Sequence, residues 1–119
     1  MIAPVPEVKP YRRRSRRLPR RFPVVLRWHD LDGNPREELA ETVQISRYGG
    51  LLESPTAFKP GEDVLLFWPE REKETRIRIV YRELGHSGEV VALAFEFLDG
   101  ENFWEIDFPP EMAPWELPG

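Results

Sequence analysis

Seven arginines crowd into the eleven residues Tyr11–Arg21, Tyr-Arg-Arg-Arg-Ser-Arg-Arg-Leu-Pro-Arg-Arg, with no acid among them. A guanidinium is planar, permanently charged and carries five donors in a fork, so it grips phosphate through two hydrogen bonds at once and stacks on flat rings. Such a cluster suits an anionic, aromatic ligand, and a nucleotide is one. A second polar group follows at Gln44, Ser46, Gly49 and Gly50. The period of two along a strand puts Gln44 and Ser46 on one face, and the two glycines let a ligand or another backbone come close. No nucleophile–base pair and no phosphate-cradling glycine loop stands out, so no catalytic residue is expected and the chain is read as a non-enzyme.

The charge is split along the chain. Residues 9–21 hold eight of the 17 basic groups, which leaves nine against 20 acids from Phe22 onward, a net of about −11. A duplex-binding protein spreads positive charge over a face of its folded body, because affinity comes from neutralising many phosphates along a rod. This body repels such a rod, so no specific nucleic-acid partner is expected. Two readings of the arm remain: a clamp for a compact anion, or a solvated tail.

At 119 residues the chain fits one domain, and 40% hydrophobic content with four Trp and seven Phe supports a packed core. The absence of cysteine removes disulfides, thiolate catalysis and cysteine-ligated zinc together. His29 and His86 fall in different hairpins, so no metal site and no cofactor is expected. No apolar run reaches the roughly 20 residues of a membrane helix, and Pro4, Pro6 and Pro10 interrupt any signal or transit segment, which makes a cytoplasmic protein the expectation.

Four stretches follow: a proline-rich, flexible leader over 1–10, the basic arm over 11–21, a strand-rich body over 22–99 and an aromatic, proline-rich tail over 100–119. In the body, Val24, Leu26 and Trp28 alternate with Val25, Arg27 and His29, and Leu31–Pro35 reads as a turn. Leu39, Val43 and Ile45 then share one face and Thr42, Gln44 and Ser46 the other, ending at Arg47–Gly50 as a sharp turn or bulge. A short strand Leu51–Glu53, a loop Ser54–Gly61 and an apolar strand Val64–Trp68 come next. Arg71–Glu74 is a charged loop or strand end. Ile77, Ile79 and Tyr81 alternate with Arg76, Arg78, Val80 and Arg82, Gly85–Gly88 turns, and Val90–Phe97 is the longest strand. Trp28, Phe67, Trp68, Phe95 and Phe97 are expected in the core. Six strands without a helical period predict an all-β, antiparallel barrel or sandwich.

The arm and the Ser46 turn together resemble the PilZ domain family, in which an Arg-Arg-x-x-x-Arg segment precedes a six-stranded barrel carrying Asp/Asn-x-Ser-x-x-Gly near the end of its second strand. Arg12–Arg17, followed by Leu18-Pro19, fits the first element, and Gln44-Ile45-Ser46-Arg47-Tyr48-Gly49 fits the second except at Gln44. The Leu51–Glu53 strand, the Pro60-Gly61 loop and Ala94–Asp99 also look like the family, so the likeness runs from Tyr11 to Asp99. It implies a six-stranded antiparallel PilZ-like barrel and binding of cyclic di-GMP, a bacterial second messenger with two phosphates and two guanines. Arg12, Arg13, Arg17, Gln44, Ser46, Gly49 and Gly50 are the ligand-binding candidates it points to. A protein of a motility or secretion system is the downstream partner such an effector would have.

Arg14, Arg16, Arg20 and Arg21 read as solvated or phosphate-steering groups, and Tyr48 as a rim aromatic or a base-stacking one. Ser46 has the alternative of capping its turn. Phe103, Trp104 and Phe108 suggest a helical turn or extended tail covering one barrel opening, or a partner-binding motif. Three functions therefore stand side by side: a cyclic di-GMP effector, a PilZ-like protein that has lost the ligand and works through protein contacts, and an arm-mediated nucleic-acid binder. The sequence leaves the oligomeric state open.

Overall fold

The computed structural model describes residues 16–108. Seven strands run in chain order as β1 (Leu18–Pro19), β2 (Pro23–His29), β3 (Pro35–Ser46), β4 (Gly49–Glu53), β5 (Asp63–Trp68), β6 (Lys73–Leu84) and β7 (Val90–Phe97), with a 3-10 turn at Pro69–Arg71. All pairings are antiparallel, and the order β3-β2-β5-β6-β7-β4 returns to β3, so six strands close a barrel. Closure removes exposed sheet edges from these strands, which is how a small all-β domain avoids pairing with its neighbours. The short β1 adds to β3 outside this cycle, with Leu18 opposite Ile45 and Pro19 opposite Gln44.

The turns form as their residues dictate. Asp30 Oδ1 accepts from the backbone N–H groups of Asp32 and Asn34, both at 2.9 Å, while Gly33 takes a φ of 81°. That is an Asx turn completed by the residue that tolerates left-handed backbone. Pro35 opens β3, where a missing N–H costs least.

Val24, Leu26, Ile45, Leu52, Leu66, Ile77 and Ile79 are completely buried and fill the barrel. Phe103, Trp104 and Phe108 complete the same core, with the Trp104 ring edge-on to Trp68 at 5.2 Å. The tail expected to cover an opening does so with a turn at Phe103–Trp104 whose rings plug the barrel, and no α-helix occurs among the described residues. The Trp104 indole N–H donates to the Gly49 carbonyl at 3.0 Å, which satisfies the polar end of a buried aromatic.

Several expected positions move, and two bulges explain most of them. The β3–β4 register shifts between Thr42 and Gln44, so Val43 is an extra residue and the alternation reverses across it. Thr42 is fully buried, Ile45 lies in the main core, Val43 packs instead on a small cluster of Leu51, Ala92 and Ala94, and Leu39 is 75% exposed. The β6–β7 register shifts between Ile79 and Tyr81, which leaves Ile77 and Ile79 inside and turns Tyr81 out. Phe67 lies outside the core beneath the Arg27 guanidinium, 4.8 Å from the ring centroid. The longest strands are β3 and β6 with 12 residues each rather than β7 with eight. Gly49 and Gly50 belong to β4, and the turn before them is Arg47–Tyr48.

Thr42 joins the arm to the barrel. Its hydroxyl donates to the Arg20 carbonyl and accepts from the Phe22 N–H, each at 2.7 Å, and so bridges the gap between β1 and β2. Replacing it with valine keeps the shape but strands both backbone groups, and an unsatisfied buried polar group costs about 1–3 kcal/mol. Thr42→Val is therefore expected to destabilise by about that amount in urea unfolding and to increase amide exchange at Phe22 relative to the core strands.

Candidate functional site

The outward side of β3, β4, β7 and β6 is built row by row from the strand register. Gln44 stands opposite Leu51, Leu51 opposite Ala94, and Ala94 opposite Tyr81, so these four residues form one line across four strands. Val43, Leu51, Ala92 and Ala94 make a compact apolar floor along it, and Tyr81 ends the line as a 37% exposed aromatic. The next row runs Ser46, Gly49, Glu96, Arg78, Asp63. Among the described residues no hydrogen bond engages the Gln44 or Ser46 side chain, so the turn-capping role open to Ser46 is not taken.

Arg17 crosses this face. It precedes β1, whose Leu18 and Pro19 pair with β3 at Ile45 and Gln44, yet its terminal nitrogens reach Tyr81 Oη on β6 at 3.3 and 3.4 Å. Those are long, weak contacts, which a stronger acceptor can replace. Arg17, Gln44 and Ser46 are thus brought to one surface, as the sequence anticipates. Arg12 and Arg13, with Arg14 and the leader over 1–10, lie outside the described residues.

Gly49 and Gly50 are pressed against neighbouring backbone. A Cβ on Gly49 would sit 2.0 Å from the Phe95 carbonyl oxygen, and one on Gly50 would sit 2.6 Å from the Gln44 carbonyl. The backbone that comes close is β7 on one side and β3 on the other, so the glycines allow β4 to fit between its neighbours. The turn ahead of them is held from the end of β7 and from the tail: Phe97 N–H donates to the Tyr48 carbonyl at 2.8 Å, Asn102 N–H donates to the Arg47 carbonyl at 2.7 Å, and Arg47 pairs with Glu101 at 2.6 Å. Tyr48 is half-buried at this turn.

Of the steering arginines, Arg21 is bound to Glu41 at 2.8 Å and to Glu53 at 3.3 Å on the same outer side, and Arg20 turns back to the Pro19 carbonyl at 2.8 Å. Arg78 is also committed, through a two-bond contact with Asp63 at 2.8 and 3.1 Å. The Arg78 hydrogen bond is the main reason the Asp63 carboxyl is held below its ordinary value of 3.8. Asp99 is lowered in the same way by Arg76.

Tyr81, Leu51, Ala92 and Ala94 are site residues that sequence reasoning missed. Simple alternation assigns Tyr81 to the face of Ile77 and Ile79, and only the extra residue at Val80 turns it outward. The small pair Ala92 and Ala94 was the one local signal of a flat outer surface.

Two clefts lie elsewhere. One of about 650 Å³ opens between β2 and β5, and one of about 520 Å³ lies beside Leu39, Pro55 and Val91. No group of three or more His, Asp or Glu side chains fit to hold a metal occurs among the described residues, and no helix there is long and apolar enough to cross a membrane. No protein-family model, curated protein or solved structure matches the chain.

The Asp63–Arg78 pair sets a pH dependence. A depressed carboxyl contributes stability that is present above the unfolded value and lost as pH falls through the folded one. Asp63→Asn is expected to lower the melting temperature slightly at pH 7, and its difference from the parent should close as pH drops below about 3.8. A gap that persists in strong acid would mean that the asparagine acts through something other than charge.

Proposed function

We propose that this domain is a non-catalytic receptor for cyclic di-GMP. The observation that carries the reading is the outward row Gln44–Leu51–Ala94–Tyr81 with Arg17 lying across it. A guanine is a flat ring with hydrogen-bonding edges. It can rest on the Leu51–Ala94 floor, meet Gln44 and Ser46 along its edge and lie against Tyr81, while Arg17 leaves its weak tyrosine contact for a phosphate or a ring face. Arg12 and Arg13 of the arm supply further charge, consistent with the resemblance in which both motifs act together.

Energetics support a clamp. Ordering an arm costs about 1–2 kcal/mol per residue, and charge-assisted hydrogen bonds return roughly 1.5–3 kcal/mol each. Two or three phosphate contacts therefore offset the ordering of only a few residues, and β1 with the Thr42 bridge has already ordered the last of them. Titration calorimetry with cyclic di-GMP, against cyclic di-AMP and GTP, tests the reading. Heat from cyclic di-GMP alone supports it, and no heat from a folded protein refutes it.

Arg17→Ala is expected to weaken binding by about 2 kcal/mol or more, some thirtyfold, with an unchanged melting temperature. Gln44 departs from the short Asp/Asn of the resemblance: it keeps an acceptor but adds a rotatable bond and must fold back to reach the same point. Gln44→Asn should accordingly strengthen binding by about 0.5–1.5 kcal/mol, the worth of one better-placed hydrogen bond. That same departure favours a second reading, a PilZ-like protein acting through contacts with a motility or secretion partner. Absence of binding in both the parent and Gln44→Asn would select it.

A further inference from the structure

The outward polar groups around the Leu51–Ala94 floor differ in what they can recognise. Gln44 carries an acceptor and donors, and the Ser46 hydroxyl donates or accepts by rotating, so either side chain adapts to almost any ring edge. Glu96 is of another kind. An ionised carboxylate only accepts, through two oxygens side by side, and so selects an edge that presents two donors.

The register fixes where Glu96 stands. Leu93 and Phe95 of β7 belong to the main core, which turns Ala94 and Glu96 outward, two residues and about 7 Å apart along the strand. Ala94 is part of the apolar floor, and Glu96 is exposed beside it. On the β4 side Glu96 faces Gly49, which has no side chain, and beyond that glycine comes Ser46. On the β6 side it faces Arg78, whose guanidinium is turned to Asp63 through two bonds at 2.8 and 3.1 Å. Among the described residues Glu96 makes no hydrogen bond or ion pair of its own. Its two oxygens are left open on the face, in a barrel where Glu41, Glu53, Asp63, Glu74 and Asp99 are each held by an arginine.

We propose that Glu96 is the residue that selects guanine, accepting from the ring N1–H and the 2-amino group of a base resting on Ala94. The assignment rests on the receptor reading above and names the specificity determinant of that same face. Guanine carries those two donors next to each other. Adenine has a lone pair at N1, and hypoxanthine, the base of inosine, keeps N1–H but lacks the amino group. A carboxylate therefore meets two donors in guanine, one in hypoxanthine and a repelling lone pair in adenine. Polar groups discriminate most strongly when the wrong ligand leaves them unpaired. Charge alone predicts the reverse, because an acid on the face repels a ligand with two phosphates and its removal tightens binding. The two effects differ in sign.

Titration calorimetry of the parent, Glu96→Gln and Glu83→Gln with cyclic di-GMP and with its inosine counterpart, cyclic di-IMP, separates them. Glu83 lies opposite Ala92 on β6 and is exposed, so its variant removes a like charge from the other side of the same floor. The parent is expected to prefer cyclic di-GMP by about tenfold or more. Glu96→Gln should weaken cyclic di-GMP binding by about tenfold, change cyclic di-IMP binding much less, and so narrow the preference, since one amide oxygen replaces two acceptors. Glu83→Gln keeps the parent's preference, and both variants keep its melting temperature. A Glu96→Gln variant that binds cyclic di-GMP as tightly as the parent or tighter, one that loses both ligands in equal proportion, or a Glu83→Gln variant that narrows the preference as much, overturns the role of Glu96 and leaves the receptor reading standing. A folded parent that takes up no cyclic di-GMP overturns both.

Discussion

Strand β3 must serve two neighbours on opposite edges, and the single extra residue at Val43 is what allows it. Its first half pairs with β2 from Pro35 to Glu41, and its second half pairs with β4 from Glu41 to Ser46. A strand that closes a small barrel has to bend and coil, and a bulge supplies the bend by inserting one residue without a partner. Because side chains alternate, that insertion exchanges inside for outside. Thr42 enters the interior, Ile45 stays there, and Gln44 and Ser46 face out beside Val43. The shift at Val80 in β6 does the same for Tyr81. Without the two bulges Gln44 and Tyr81 would not lie in one line, with Ser46 facing outward in the next row.

The second consequence of the bend is the anchor of the arm. Where β3 turns away from β2, the Thr42 hydroxyl closes the gap together with two backbone bonds, Thr42 N–H to the Phe22 carbonyl at 3.0 Å and Arg20 N–H to the Val43 carbonyl at 3.3 Å. The residues after Arg17 are thereby held to the barrel, and Arg17 itself stands at the boundary between an ordered strand and the arginine cluster.

The acidic body balances this arm locally as well as in total. Glu41 and Glu53 hold Arg21, and Asp63 holds Arg78, along the margins of the same face. These are exposed pairs of small energetic worth. Their larger effect is to keep Arg21 and Arg78 occupied by acids of the same chain.

Much of the fold was legible in the sequence because it depends on local chemistry. Alternation over Val24–His29 and Val64–Trp68, the Leu31–Pro35 turn and the Gly85–Gly88 turn marked the strands, and the run Gln44–Gly49 marked one edge of the candidate face. What alternation could not decide was the inside of each strand beyond an extra residue. Val43 and Val80 are ordinary β-formers, and nothing in their identity marks a bulge. Register depends on which strand lies alongside, so the burial of Thr42, the exposure of Leu39 and the outward turn of Tyr81 follow only from barrel closure. The glycines show the same division. Their sequence called for a close approach, and the Gln44 carbonyl beside Gly50 belongs to the same hairpin, but that the β7 backbone closes on Gly49 at Phe95 was decided by tertiary structure, because a contact between residues so far apart along the chain exists only once the sheet has closed.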